Sequence, residues 1–474
     1  MSGTPGGDKD PFDDLDERFE DAKRDLDDRW PESRLEPSLD RVRAVLDLLA
    51  NPELSYPVIH VAGTNGKTST ARMIDALLVA FGLHTGRFTS PHLSDVRERI
   101  AFEGKPIDVA RFVAAYEDVV PFVDIVDARN QAETDADGNE LPRLSYFELL
   151  AVTAFAAFAD APVDAAVVEV GMGGTWDATN VVYSQVAVIT PVGLDHQAYL
   201  GDTIEQIAGE KAGVIKPGGV VVMADQLPAA GEVIARQAAQ LEAELVREGA
   251  DFGVVMRELA LGGQVLTLRG LGGGLYDEVF LPLHGAHQAR NAAVALAAVE
   301  AFFGAGAARL DVDTVREGFA SVTSPGRLEA VRRSPTVLVD AAHNPAGATA
   351  LAATLGEEFG FQRLVAVVGM LEDKDAIGFL AALEPVVDAV VVTEPHSPRA
   401  WDPDALGALA VSVFGDDRVE VVPAIADAIE RALELAEEDG VTSGAGVLVT
   451  GSVVTVGEAR RLLHRPRPGA PSDD

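Results

Sequence analysis

The sequence predicts an α/β protein with a mostly parallel sheet, on three observations. Short Val-rich runs of strand length alternate with Ala- and Leu-rich stretches whose apolar residues recur at helical spacing. A glycine turn carrying the pair Gly66-Lys67 joins one such run to the helix after it. Beyond Ser324, Pro325, Gly326 and Arg327 the alternation begins again, which divides the chain near residue 322.

Residues 58–62 form an apolar run that reads as a buried parallel strand, and from Ser69 onward Ala71, Ile74, Leu78 and Phe81 recur with the period of a helix. Between strand and helix stand Gly63, Thr64, Asn65, Gly66, Lys67, Thr68 and Ser69. The glycines allow a tight turn with exposed N–H groups, the helix points its positive end at the same spot, and Lys67 adds a full charge. That is a cradle for the phosphates of a nucleotide. The common phosphate-loop pattern has Gly where Val61 stands, so the match is to a variant. An ordinary glycine-rich turn is the competing reading.

Upstream, residues 1–10 are rich in Gly, Pro and Asp and read as disordered. Leu15, Phe19, Ala22, Leu26 and Trp30 then make one apolar stripe on a charged helix lying on the main body, and a second helix covers 39–49. Residues 1–34 are thus an acidic N-terminal extension. In the domain 35–322 further strands are expected at 87–89, 165–170, 186–190 and 220–224, with an exposed loop at 127–143 and a small β meander at 245–283. A second domain, 323–464, has strands expected at 337–340, 364–369, 389–393 and 447–451, and a tail, 465–474, reads as disordered.

Seventy-five acidic residues against 38 basic ones give a formal charge of −37, spread along the whole chain. Such a surface repels nucleic acid and anionic membranes, so neither is expected as a partner. It also repels itself, and it is easier to sustain where salt shortens the Debye length, to about 3 Å at 1 M. A halophilic cytoplasm is the expectation. No apolar run reaches about 18 residues and no basic leader precedes an apolar core, which points to a cytoplasmic protein. With no cysteine, metal ligands must be carboxylates, hydroxyls, imidazoles or phosphate oxygens, a set that favours magnesium over zinc.

Ligands of an open parallel sheet gather at the carboxyl ends of its strands. There the sequence places Ser90, Glu169 and, after Asp195, His196. Together they could complete a magnesium site with phosphate oxygens and water. Singly they read as a turn residue, an ion-pair partner and a structural histidine. Lys211 cannot bind a cation as an ammonium, but an amine kept neutral by burial could add carbon dioxide and offer a carbamate oxygen. On sequence alone a surface lysine is the simpler reading.

Several runs occur in order: Pro-Val-Ile-His-Val-Ala-Gly-Thr-Asn-Gly-Lys at 57–67, Thr-Ser-Pro-His-Leu at 89–93, Glu-Val-Gly-Met-Gly-Gly at 169–174, Asp-Ala-Thr-Asn at 177–180 and Gly-Leu-Asp-His at 193–196. Pro-Gly-Arg-Leu-Glu at 325–329, Asp-Ala-Ala-His-Asn-Pro at 340–345, Asp-Lys-Asp at 373–375 and Val-Thr-Gly-Ser at 449–452 follow. As a set they resemble the folylpolyglutamate synthase and dihydrofolate synthase family of the Mur ligase superfamily. The resemblance implies a Mur-ligase-like central P-loop ATPase domain, a Rossmann-like C-terminal domain, and an active site in the cleft between them.

By the same resemblance Ser90, Glu169, His196 and Lys211 are metal ligands, the last as its carbamate. Lys67, Lys211 and His343 are catalytic, and Asn291, Arg327 and Asp340 contact the nucleotide. It implies ATP and two magnesium ions, with room for a monovalent cation, and a monomer that joins L-glutamate to dihydropteroate, to a reduced folate, or to both. The family usually has Gly-Lys-Gly-Ser where this chain has Gly-Lys-Thr-Ser, so either Thr68 or Ser69 is the phosphate-loop hydroxyl. The acceptor carboxylate would become an acyl phosphate that the glutamate amine attacks, with the acceptor lying beside residues 90–100 and 145–148. Two rivals remain: a ligase of the same fold that builds cell-wall precursors, favoured by Thr68, and a non-catalytic nucleotide switch.

Overall fold

A computed structural model of the chain describes residues 11–31, 36–132, 134, 141–304, 309–438 and 444–463, and the stretches expected to be disordered, 1–10 and 465–474, lie outside them. The first sheet is built from β1 (Val58–Ala62), β2 (Thr85–Phe88), β3 (Ile100–Phe102), β4 (Lys105–Pro106), β5 (Ala165–Glu169), β6 (Val186–Ile189), β7 (Val220–Met223) and β8 (Glu244–Arg247). Its order is β4-β3-β2-β5-β1-β6-β7-β8, parallel from β2 to β8 with an antiparallel edge at β3 and β4. A small antiparallel sheet follows, β9 (Gly253–Ala260), β10 (Gly263–Arg269) and β11 (Leu275–Leu281). The last sheet holds β12 (Glu329–Arg333), β13 (Thr336–Val339), β14 (Arg363–Val368), β15 (Ala389–Val392), β16 (Val419–Val421) and β17 (Ala445–Thr450), in the order β12-β13-β17-β14-β15-β16. Only β12 runs antiparallel to its neighbour.

The alternation of side chains along a strand assigns each face of the first sheet its own core. Ile59 and Val61 of β1, with Ala165 and Val167 of β5, pack under the helices Lys67–Ala80 and Ala286–Phe302. Val58, Ala166 and Val168 face the other way, onto Val109–Ala132 and Tyr146–Asp160. Phe19, Ala22 and Leu26 of the helix Pro11–Asp27 belong to that second core, so the apolar stripe read in the extension is buried against the main body.

The expected strands are present, and eight of them end one residue earlier than the hydrophobic pattern suggests, at Phe88, Glu169, Ile189, Met223, Val339, Val368, Val392 and Thr450. At these points the backbone leaves the ladder. Thr190 still donates its N–H to Ala62 O at 2.8 Å, but its carbonyl accepts from the Gln226 side chain at 3.0 Å. Residues that a periodicity count assigns to strands thus face the loops at the carboxyl ends. The meander is confirmed over 253–281, whereas 244–247 joins the large sheet as β8.

One expectation is corrected. The exposed loop expected from 127 begins later, because the helix Val109–Ala132 runs through it, and residues 133 and 135–140 lie outside the described ones. Asp127 is buried and paired with Arg29 at 3.0 Å, so its charge does not drive the segment into solvent. Among the described residues no helix is long and apolar enough to cross a membrane.

Candidate active site

The carboxyl ends of β1, β5 and β6 and those of β13, β14 and β17 open on one cavity of about 780 Å³. Its floor is the loop 63–69. Gly63 has φ +143°, and a Cβ there would lie 1.9 Å from Thr190 Oγ1, so only glycine fits. Gly66, at φ +88°, lies under Asn291, whose Oδ1 would be 2.8 Å from an added Cβ. Thr64 and Asn65 donate their N–H groups to Pro191 O at 3.0 and 3.3 Å, which fixes the loop against the neighbouring strand end. The first turn of the helix Lys67–Ala80 has N–H groups without intrahelical acceptors, and these form the anion-binding end.

Two hydroxyls follow Lys67 and they point to different places. Thr68 Oγ1 donates to Glu169 Oε1 at 2.8 Å. Ser69 is buried, with its Oγ 3.2 Å from Ser324 Oγ and accepting from Gln288 Nε2 at 3.4 Å. Of the two, Thr68 is therefore the hydroxyl beside the carboxylate. Glu169 also accepts from the Ser90 N–H at 3.3 Å. Burial pushes the Glu169 carboxyl up, against the pull of Lys67 and these hydrogen bonds. A buried carboxylate with that balance favours an approaching cation.

Lys67 Nζ donates to Thr64 O at 3.2 Å, and burial lowers its pKa. Lys211 is 4% exposed, which rules out the surface-lysine reading. Its Nζ donates to Gly63 O at 2.8 Å, and burial, then the charge of Lys67, lowers its pKa to about 7.

The second sheet supplies the opposite wall. Asp340 accepts from Leu328 N and Ala342 N, both at 2.8 Å, so its carboxylate organises the turn that carries Arg327. His343 Nδ1 donates to Ala341 O at 2.9 Å, which leaves Nε2 toward Asp195 Oδ2 at 3.8 Å. Three further contacts join the lobes. Asn344 Nδ2 donates to Asn65 Oδ1 at 3.1 Å and to Asp195 Oδ2 at 3.3 Å, and Lys374 Nζ donates to Asp195 Oδ1 at 2.7 Å. Burial opposes the Asp195 charge, but His343, His196 and Lys374 together hold its carboxyl well below the usual carboxylate range. His196 Nε2 lies 3.4 Å from Lys374 Nζ, and burial lowers the imidazole pKa to about 4, so the ring is neutral near pH 7 and can act as a ligand.

Every residue singled out from the sequence is at this cavity or directly beneath it. Three that matter to its shape were given no role there: Asp195, Asn344 and Lys374. Each lies inside a quoted run, but nothing local to those runs shows that they meet across the cleft. At the far end Trp30, Phe147 and Trp176 line the cavity. Arg41 there binds Glu148 through Nη2 at 2.7 Å and Nε at 3.1 Å. Among the described residues no three His, Asp or Glu side chains gather to hold a metal.

Comparisons with known proteins agree with this geometry. Residues 134–299 match the Mur ligase middle domain and 326–453 the Mur ligase glutamate ligase domain. The chain is 54% identical over 455 residues to the dihydrofolate synthase/folylpolyglutamate synthase of Mycobacterium tuberculosis, covering 93% of each. To that of Bacillus subtilis it is 33% identical, covering 92% of this chain and 97% of the relative. Its fold superposes on the M. tuberculosis folylpolyglutamate synthase complexed with ADP at a TM-score of 0.89 and 53% identity, over 95% of this chain and 99% of that one. An E. coli structure in complex with DHPP and ADP gives a TM-score of 0.77 at 30% identity, over 94% and 97%. With its phosphate loop, the facing second lobe and these likenesses along nearly its whole length, the chain belongs to the dihydrofolate synthase/folylpolyglutamate synthase family of ATP-dependent glutamate ligases.

Proposed function

We propose that the protein joins L-glutamate to dihydropteroate, to a tetrahydrofolate, or to both, through an acyl phosphate formed in the cleft. The observation that carries this reading is the single cavity that runs from Lys67 and Glu169, past Arg327 and His343 of the other lobe, to the aromatic wall of Trp30 and Phe147. A carboxylate oxygen of the acceptor attacks the γ-phosphorus of ATP, and the bond to the bridging oxygen breaks to release ADP. Lys67 and the helix N-terminus offset charge on the transferring group, while Arg327 and His343 reach it from the second lobe. The glutamate amine adds to the acyl carbon, loses a proton, and the intermediate collapses with phosphate as the leaving group. Closure of the lobes through Asn344 and Lys374 excludes water from the anhydride.

The side-chain oxygens of Thr68 and Glu169, with Ser90 held to Glu169 through its backbone N–H and neutral His196 lining the same cavity, suit magnesium, and burial raises the Glu169 pKa, which a bound cation would offset. Bound there with phosphate oxygens, magnesium would supply charge neutralisation on the transferring group. Above about pH 7 the Lys211 amine is neutral and can take up carbon dioxide, and the resulting carbamate would add an anionic oxygen next to Gly63. We assign 35–322 to the ATP-binding domain, 323–464 to the glutamate ligase domain and 1–34 to an extension, and place the monomer in a salt-rich cytoplasm on the strength of its charge of −37.

The test is ADP release from ATP in the presence of dihydropteroate and glutamate, with each omitted in turn. Dependence on both supports synthase activity, and dependence on a tetrahydrofolate with glutamate supports chain extension. Release indifferent to acceptor and glutamate would overturn the reading in favour of a nucleotide switch.

A further inference from the structure

The extension ends at a point that bears on substrate binding. Arg29 is buried, its side chain 1% exposed. Its Nη1 donates to Asp127 Oδ2 at 3.0 Å and to Leu144 O at 3.3 Å. Asp127 in turn accepts the Leu144 N–H at 2.8 Å on its other oxygen. Arg29 and Asp127, whose Oδ2 also accepts from Arg143 Nε at 3.3 Å, thus clasp both backbone groups of Leu144, a residue that is itself fully buried. The residue after Arg29 and the second after Leu144 continue the clasp, since Tyr146 N donates to Trp30 O at 3.0 Å. Ser145 caps the helix Tyr146–Asp160 with Glu148 in a reciprocal box. Trp30, Ser145 and Phe147, immediately adjacent to the clasped residues, line the far end of the cavity.

A buried charge pair of this kind is poorly explained by stability alone. Taking both ions out of water costs several kcal/mol each, and an apolar pair of similar volume commonly serves the fold as well. What the ion pair supplies is geometry, because a planar guanidinium binding a carboxylate and a carbonyl together admits one arrangement of the three segments. The helix Pro11–Asp27 is fastened next to it, through Tyr116 to Asp25 and Arg18 to Glu117.

We propose that Arg29, acting through Asp127 and the Leu144 backbone, is a positioning residue for the acceptor substrate, so that the N-terminal extension sets the wall against which the acceptor's flat ring binds. This rests on the reading of that end of the cavity as the acceptor site. Arg29 stands behind Trp30 and is not among the described residues that line the cavity, so its effect is confined to the end it supports.

The experiment is steady-state kinetics of Arg29→Met, Asp127→Asn and Arg29→Lys, with Phe147→Ala as the marker of the acceptor site. In Arg29→Met and Asp127→Asn the KM for dihydropteroate should rise about tenfold or more, as expected when a binding surface is displaced by a fraction of an ångström, with kcat and the KM for ATP within about twofold of the starting protein. Arg29→Lys should recover part of the loss. If Phe147→Ala raises the KM for dihydropteroate while Arg29→Met and Asp127→Asn do not, or if they raise the KM for ATP equally, the positioning role is overturned. If Phe147→Ala also leaves the KM for dihydropteroate unchanged, the acceptor reading itself fails. Should the variants not fold, hydrogen exchange on the unaltered protein decides: dihydropteroate should slow exchange at both 26–30 and 144–148, and protection of 144–148 without 26–30 would contradict the proposal.

Discussion

The two ends of the cavity are built in opposite ways. The floor of the end proposed for the nucleotide comes from seven consecutive residues, 63–69, whose shape is set by two glycines and the start of a helix. The end proposed for the acceptor is assembled from segments around residues 29, 41, 127 and 144–148, and Arg29 and Leu144 alone are 115 positions apart. Local geometry holds the first, and buried ion pairs hold the second. Changes at the nucleotide end should therefore remove chemistry and leave the fold, whereas changes at the acceptor end should weaken one substrate and cost stability as well.

The sharpest contrast comes from Lys67→Ala, which should lower turnover by about a thousandfold, in the range for removing one charged group aimed at a developing charge. Its melting temperature should stay close to that of the starting protein, since among the described residues the Lys67 side chain makes one hydrogen bond, to Thr64 O. A large fall in melting temperature would break the contrast. Glu169→Gln should lower turnover about a hundredfold at fixed magnesium and move the magnesium titration to higher concentration, because it removes the ionic ligand proposed for magnesium while keeping an acceptor for Thr68.

Lys211→Ala should lose comparable activity, and short-chain carboxylic acids should restore part of it by standing in for the carbamate. The sign of the pH effect follows from the lowered pKa of about 7. The amine is protonated below that pH and cannot take up carbon dioxide, so activity in bicarbonate-limited buffer should fall as pH drops through 7. Added bicarbonate should shift that limb downward, and the rescued Lys211→Ala should lack it.

Between the two ends stands the contact of the lobes. Lys374→Met leaves Asp195 buried beside two histidines, and the loss of a buried ion pair costs about 3–5 kcal/mol when one partner is removed. Part of this should appear as a lower kcat of about tenfold or more, with binding of ATP to the phosphate loop retained. The smallest effect concerns the molecule as a whole. With a charge of −37, unfolding in molar KCl should need more denaturant than in low salt, and equal midpoints would contradict the halophilic expectation.

The same contrast explains what the sequence made legible. A phosphate loop is a local object, so Gly63 to Ser69 could be read from a single window, and the alternating strands located Glu169 and Ser90 at the right ends of the right strands. The burial of Lys211 under Gly63, the contact of Thr68 rather than Ser69 with Glu169, and the meeting of Asp195 with Lys374 are long-range facts. They depend on how two sheets face each other, which no window of periodicity contains. Asp127 shows the limit most plainly: in an acidic stretch it reads as solvent-facing, and its bonds to Arg29, distant in sequence, and to Arg143 and the Leu144 N–H make it a core residue.

That an inert carboxylate is activated as a phosphate anhydride between the two lobes is open to a direct measurement. Dihydropteroate labelled with ¹⁸O in its carboxylate, incubated with ATP and glutamate, should deliver one labelled oxygen to each phosphate released. Phosphate free of label, with amide still formed, would contradict it.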